Sequence, residues 1–244
     1  MKKKKWSVLG LFLLLVGAGI ILYPMIRQKM YEKDAQRVIR KFDEEHDDKQ
    51  EKRNDSGLDG KPRSGAQLQD DPLYMAMEQY NVRLNRDGQE DLKDPYAYEE
   101  PGIRLEDYGI SDRVAGYLKI PKMGIELPLY LGANEENMIN GATQLTETSM
   151  PIGGINTNTV IAAHRGYSYA AMFRDIEVLS IGDSITLTNF WDTLTYEVIK
   201  TEVIAPTDID KVFIQEGKDL VTLITCHPYR YNYQRYVVYC ERIE

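Results

Sequence analysis

"TLITCHPYRYNYQRYVVY", residues 222–239, decides how this chain is read. Two β-prone runs, one ending at Cys226 and one starting at Arg235, flank a loop rich in Tyr, Pro and Asn. A loop of that length returns the chain antiparallel and sets Cys226 beside Arg235. A thiol serves as a nucleophile when it is accessible and a base or cation lies near it. A guanidinium offers fixed donors to an oxyanion without losing its charge. The bland reading is a buried thiol and a solvated strand-end arginine, so the rest of the chain has to decide. Along the second run Arg235, Val237 and Tyr239 share one face and Cys240 points to the other. Cys240 therefore reads as a small buried residue rather than a disulfide partner of Cys226.

Outward from this stretch, residues 112–244 are dominated by Val, Ile, Thr and Tyr in short runs bounded by Gly, Pro, Asn or Asp. "RVAGYLKIP" (113–121), "IELPLYLG" (125–132), "NTVIAAH" (158–164), "DSITLTNF" (183–190) and "LTYEVIKTEVIA" (194–205) precede "LVTLITC" (220–226) and "RYVVYCERI" (235–243). Seven or eight strands with few helices predict a β-barrel or sandwich. Short helices are expected over "ENMINGA" (136–142) and "SYAAMFRDIEVL" (168–179).

Upstream the character changes twice. "MKKKK", residues 1–5, precedes an uncharged apolar stretch, Trp6–Ile26. At about 1.5 Å per helical residue it matches a bilayer core of roughly 30 Å. Tyr23, Pro24 and Met25 stand where a signal-peptide cleavage site would need small residues, so a retained single-pass anchor is expected. The lysines place the N-terminus in the cytoplasm and everything after Ile26 outside the cell. Residues 27–71 read as a charged extracellular linker, helical to about 45 and then, over 43–71, an exposed loop with His46 solvated. Residues 72–111 hold an amphipathic helix, with Leu73, Met77, Tyr80 and Leu84 on one face, and then a proline-containing loop, "DLKDPYAYEEPG" (91–102). The net charge of -8, with no basic stripe beyond the N-terminus, excludes a nucleic-acid binder.

Of three histidines, His164 ends an apolar strand just before "RGYS", whereas His227 follows Cys226 directly. Adjacent strand residues point to opposite faces, so His164 is the better acid-base partner and His227 the weaker candidate.

"TLITC" followed by arginine nine residues on resembles the TLxTC…R signature of the sortases. "VIAAHRG" resembles their histidine segment, and "GYLKIP" and "MPIGG" resemble their first-strand and pre-histidine segments. The resemblance covers about 112–244 and implies an eight-stranded β-barrel with Cys226, His164 and Arg235 as the catalytic set. It implies that the cysteine cleaves an LPXTG-like sorting signal between Thr and Gly, that the histidine protonates the leaving amine and that the arginine supports the oxyanion. A second amine then resolves the thioacyl-enzyme. Thr225 and His227, flanking the cysteine, are candidates for substrate contact. "YNVRLN…LKDPYAYEEPG" resembles the lid of the class C, pilus-building sortases, with Asp94, Pro95 and Tyr96 as its motif. The expected partners are an LPXTG-type surface or pilin protein and an acceptor amine from a pilin lysine; no metal and no cofactor are expected. Many class C members carry a second anchor after the barrel, and no second apolar stretch precedes Glu244. A housekeeping sortase using a peptidoglycan-precursor amine therefore stays open, as does a non-catalytic, peptide-binding barrel.

Overall fold

The computed structural model describes residues 2–54, 68, 70–168 and 170–243. After Asp112, the β-branched and aromatic runs form β1 (Val114–Ile120), β2 (Ile125–Leu131), β3 (Ala142–Gln144), β4 (Thr157–Ala162), β5 (Ser184–Asn189), β6 (Thr193–Ile204), β7 (Asp219–His227) and β8 (Gln234–Arg242). They close into a barrel in the order β1-β2-β3-β4-β7-β8-β6-β5. Only β2–β3 and β4–β7 pair in parallel. All seven quoted runs become strands, and β3 is the addition.

Alternation decides what each strand shows to each side. Val221 and Leu223 of β7, with Val238 and Cys240 of β8, face the barrel interior among Ile161, Leu118 and Leu187. Ile224, Val237 and Tyr239 face outward and are buried with Val160 and Ala162 beneath Leu92, Met138 and Val212. A strand buried on both faces reads as a near-continuous apolar run, as Leu220–Cys226 of β7 does, broken by Thr222 and Thr225. Cys226 lies on the outer face and Cys240 on the inner one, and both thiols are free.

Among the described residues three α-helices accompany the barrel. α1 runs from Lys2 to Asn54, α2 from Pro72 to Asp87 and α3 from Glu135 to Asn140. Asp71 caps α2 by accepting from the amides of Leu73 and Tyr74, and Pro72 fits the first turn, where no amide donor is needed. Leu73, Met77 and Leu84 are buried as their spacing predicts, with Asn81 alongside them. α3 begins at the Asn134 cap, close to where a short helix was expected.

Two expectations need correction. Residues 168–179 do not form a helix: Ser168 and Met172 adopt positive φ values of 42° and 44°, and only Ile176–Val178 make a helical turn. The amide of Phe173 donates to the carbonyl of His164 at 3.0 Å, tying this segment to the end of β4, while Arg174 to Ala171, Ile176 to Phe173 and Leu179 to Ile176 close tight turns within it rather than an α-helix. The exposed loop expected over 43–71 begins later, because α1 continues unbroken to Asn54. The His46 side chain, and residues 55–67 and 69, lie outside what is described.

α1 also does more than link. Ala35, Ile39 and Phe42 are buried, and the Phe42 ring meets Tyr117 of β1 edge-on at 6.1 Å and Phe190 at 5.4 Å. Among the described residues α1 is the one helix long and apolar enough to cross a membrane. The large side chains of its apolar stretch, Leu11 to Ile26, stand exposed. Replacing Phe42 with Ala removes most of the aromatic anchor and is expected to cost about 3 kcal/mol. The check is a lower melting temperature together with faster hydrogen exchange over 35–45; unchanged exchange would show that the helix docks without this ring.

Candidate active site

The end of β7 is where three neighbouring strands converge. β4 lies parallel to β7 with Ala162 opposite Ile224, so continuing the register two residues sets His164 level with Cys226. On the other side β8 runs antiparallel and places Arg235 directly opposite Cys226. Register and parity thus bring the three residues to one outer face at one end of the barrel. The Arg235 Nη1 lies 3.9 Å from the Cys226 sulfur, and the same nitrogen donates to the carbonyls of Asn232 at 2.7 Å and Gln234 at 2.8 Å. These backbone contacts hold the guanidinium at the strand end rather than in solvent.

A strap between α2 and β1 covers this face. Gln89 anchors its start by donating to the Glu147 carbonyl at 2.8 Å and accepting from the Ile214 amide at 2.6 Å. Leu92 adds apolar contact over the outer face of β7. Asp94 then caps a single helical turn, Pro95–Ala97, by accepting from the Tyr96 amide. Its carboxylate also grips Arg235 in a fork, Nε to Oδ2 at 2.6 Å and Nη2 to Oδ1 at 2.8 Å. Planar two-point pairing of this kind is the strongest form of a carboxylate–arginine contact. Pro95 is buried, and the Tyr96 ring lies under the Arg235 guanidinium at 4.9 Å and tilted against the His164 ring at 5.7 Å. The Tyr96 hydroxyl ends near Cys226 and Thr225 without completing a hydrogen bond to either. At the far end Pro101 packs so tightly on Gly132, whose φ is +78°, that a Cβ there would collide with it.

Tyr167 stacks on His164 at 4.8 Å with planes 17° apart. Burial lowers the pKa of His164 and so favours its neutral form. Burial also raises the pKa of Cys226; the nearby Tyr96 hydroxyl and Arg235 work against that rise, and Asp94 adds to it. Both shifts favour the thiol and the neutral imidazole in the covered site.

The remaining sequence candidates are brought near but turned away. Thr225 is fully buried and donates to the carbonyl of Ala163 at 2.7 Å, pinning β7 to the end of β4. His227 sits on the other face, its Nδ1 2.8 Å from Arg165 and its ring over Tyr236 at 5.7 Å. Asp71, in the similar "DPLY", caps α2 and accepts from the Trp191 indole at 2.9 Å. Two residues with evident influence on the site, Arg165 and Tyr167, were not singled out from sequence. The available signal was an arginine placed directly after a strand-end histidine in an otherwise apolar run.

The family model for the Sortase domain matches residues 118–243. The chain belongs to the sortase family. A curated Sortase A from Bacillus anthracis is 33% identical over 126 residues, which is 52% of this chain and 58% of that protein. Sortase D from Bacillus subtilis is 28% identical over 134 residues, 54% of this chain and 65% of that protein. This sortase thus spans between half and two thirds of the length of those relatives. Among solved structures, sortase C1 of GBS Pilus Island 1 superposes with a TM-score of 0.70 at 27% identity, covering 86% of this chain and 92% of that one. Sortase C of Streptococcus pneumoniae gives 0.69 at 30% identity, covering 85% and 97%. These likenesses extend well beyond the matched domain, into the region N-terminal to the barrel.

Replacing Asp94 with Ala removes the tether on Arg235, admits water and takes away a negative neighbour of the thiol. All three changes favour the thiolate. Alkylation of Cys226 by iodoacetamide is expected to accelerate at least about tenfold at pH 7 and to show a lower pH midpoint. Unchanged rates in both Asp94→Ala and Tyr96→Ala would show that the strap does not shield the sulfur.

Proposed function

We propose that this sortase is a membrane-anchored cysteine transpeptidase that cuts an LPXTG-like signal between Thr and Gly and passes the acyl group to a pilin lysine. The observation that carries this reading is the meeting of Cys226, His164 and Arg235 on one face beneath the strap held by Asp94. In this reading the thiol proton passes to His164, and the sulfur attacks the threonine carbonyl carbon. Arg235, released by Asp94, donates to the oxyanion that forms. The C–N bond breaks, and His164 returns its proton to the glycine nitrogen as it leaves. An incoming amine then attacks the thioester, and the thiol is restored. α1 crosses the membrane with its lysine-rich tip in the cytoplasm, so the barrel works outside the cell.

The lid favours a pilus-building role, and the structural neighbours named for a pilus island and for pilin substrate specificity agree with it. A housekeeping role, with a peptidoglycan-precursor amine as acceptor, draws support from the curated relatives named Sortase A.

Intact-mass spectrometry of the full chain in detergent micelles with an LPXTG peptide tests the reading. The expected product is an adduct equal to the peptide cut after threonine, removed by hydroxylamine and missing in Cys226→Ala. His164→Ala and Arg235→Ala should each slow its formation at least about 10²-fold. An adduct that persists in Cys226→Ala, or none from any sorting peptide in either the parent or Asp94→Ala, would overturn the reading. Adding a pilin-derived lysine peptide or a peptidoglycan-like amine shows which acceptor resolves the adduct faster.

A further inference from the structure

Directly behind Cys226, on the face away from the strap, lies a buried cation that the steps above do not use. Arg165 is only 6% exposed, yet each of its nitrogens has a partner. Its Nη2 reaches the Glu177 carboxylate at 2.8 Å, and its Nε donates to the carbonyl of Arg174 at 3.4 Å. Its Nη1 meets His227 Nδ1 at 2.8 Å and the main-chain carbonyl of Cys226 at 3.3 Å. The Tyr236 ring lies 5.9 Å from the guanidinium carbon. Arginine can only donate, so in this contact Nδ1 of His227 accepts and that ring carries its proton on Nε2. The Glu177 carboxylate, whose Oε1 lies 3.2 Å from the same Nδ1, is then held through Oε2 by Arg165 rather than by the imidazole.

One side chain therefore ties together the end of β4, the turns at 174–177 and the end of β7. Its position in the chain matters as much as its contacts. It follows His164 immediately, and it grips the carbonyl of Cys226 itself. Any shift of Arg165 moves the histidine backbone against the cysteine backbone. Elsewhere the two strand ends are joined by the Thr225 hydroxyl to Ala163 and by a long amide contact, Ala163 to Ile224 at 3.4 Å.

We propose that Arg165 is a positioning residue for Cys226, fixing its main chain in register with His164 and setting a buried positive charge behind the thiol. This rests on the reading of Cys226 as the nucleophile. The groups around the sulfur divide by side. Asp94, Tyr96, Tyr98 and Arg235 surround it from the strap and β8, His164 stands level with it at the end of β4, and Arg165 acts through the backbone from behind. Of these, Arg165 and Arg235 are the two cations that favour the thiolate. Arg235 is matched by Asp94 on the strap, whereas the partners of Arg165 all lie outside the strap. Glu177, half exposed, tempers the Arg165 charge without burying a second ion.

The test uses the full chain in detergent micelles, in an Asp94→Ala background that opens the thiol. Two quantities are read: the pH midpoint of iodoacetamide labelling at Cys226, located by peptide mapping, and kcat and KM for cleavage of an LPXTG peptide. Arg165→Gln should raise the midpoint by at least about half a pH unit and lower kcat at least about tenfold, with KM within about twofold. Arg165→Lys should restore the midpoint while leaving kcat low, because one ammonium cannot hold the carbonyl, the imidazole and the carboxylate together. Glu177→Gln, at a half-exposed position, should lower the midpoint by unmasking the Arg165 charge, and it serves if Arg165→Gln does not fold. An unmoved midpoint in Arg165→Gln, or in Glu177→Gln where that variant stands in, overturns the proposal, and so does a kcat within about twofold of the parent in Arg165→Lys. If no peptide is cleaved by the parent, the transpeptidase reading fails, and the labelling midpoints still decide the role of Arg165.

Discussion

The register of β7 between its two neighbours is the constraint on which the site depends. β4 approaches it in parallel, pairing as far as Ile224, and β8 runs antiparallel, pairing through Cys226 to His227. Because side chains alternate, a slip of one residue on either side would send His164 or Arg235 to the wrong face. The core enforces the register from both directions. Val221, Leu223, Val238 and Cys240 must fill the barrel, while Ile224, Val237 and Tyr239 must fill the outer cluster under Leu92 and Met138. Geometry at the thiol is therefore set by apolar packing several residues away, and the polar contacts refine it.

Two arginine–carboxylate pairs bracket the thiol, and they differ in purpose. Asp94–Arg235 is a front pair, its carboxylate supplied by a strap that is not part of the barrel. Arg165–Glu177 is a rear pair, its arginine enclosed and held to three separate segments. Breaking the first exposes a cation to whatever enters the cleft. Breaking the second leaves a buried charge unmatched, which is far more costly. The front contact can exchange during a reaction cycle, and the rear one behaves as framework.

What the sequence disclosed follows from the range of the forces involved. Strands with alternating or doubly buried faces were legible because each run carries its own pattern, and Cys226, His164 and Arg235 were legible because each sits at the end of such a run. β3 was not: Ala142–Gln144 has no β pattern and is a strand only because β2 and β4 pair with it. The segment 168–179 carries apolar residues at helix-like spacing, yet its backbone closes into separate tight turns, with the Phe173 amide and the Arg174 carbonyl taken by His164 and Arg165 at the strand end before it. Residues 27–71 looked like a linker because their many charges mask the apolar positions among them, although Ala35, Ile39 and Phe42 within that stretch dock on the barrel. Arg165 was unreadable in its role because its partners at 174, 177 and 226–227 are assembled only by the fold.

In the transpeptidase reading proposed above, the strap held down by Asp94 would also set a threshold. A site whose competent state is occupied for one part in a hundred binds its ligand about a hundredfold more weakly than its contacts would allow. Dilute encounters in bulk solvent are penalised by that factor. A substrate confined to the same surface as α1 arrives at an effective concentration that offsets it, since tethering replaces a bimolecular search with a local one. The fork between Asp94 and Arg235 would thus sort substrates by address as well as by sequence, favouring chains already held beside the enzyme.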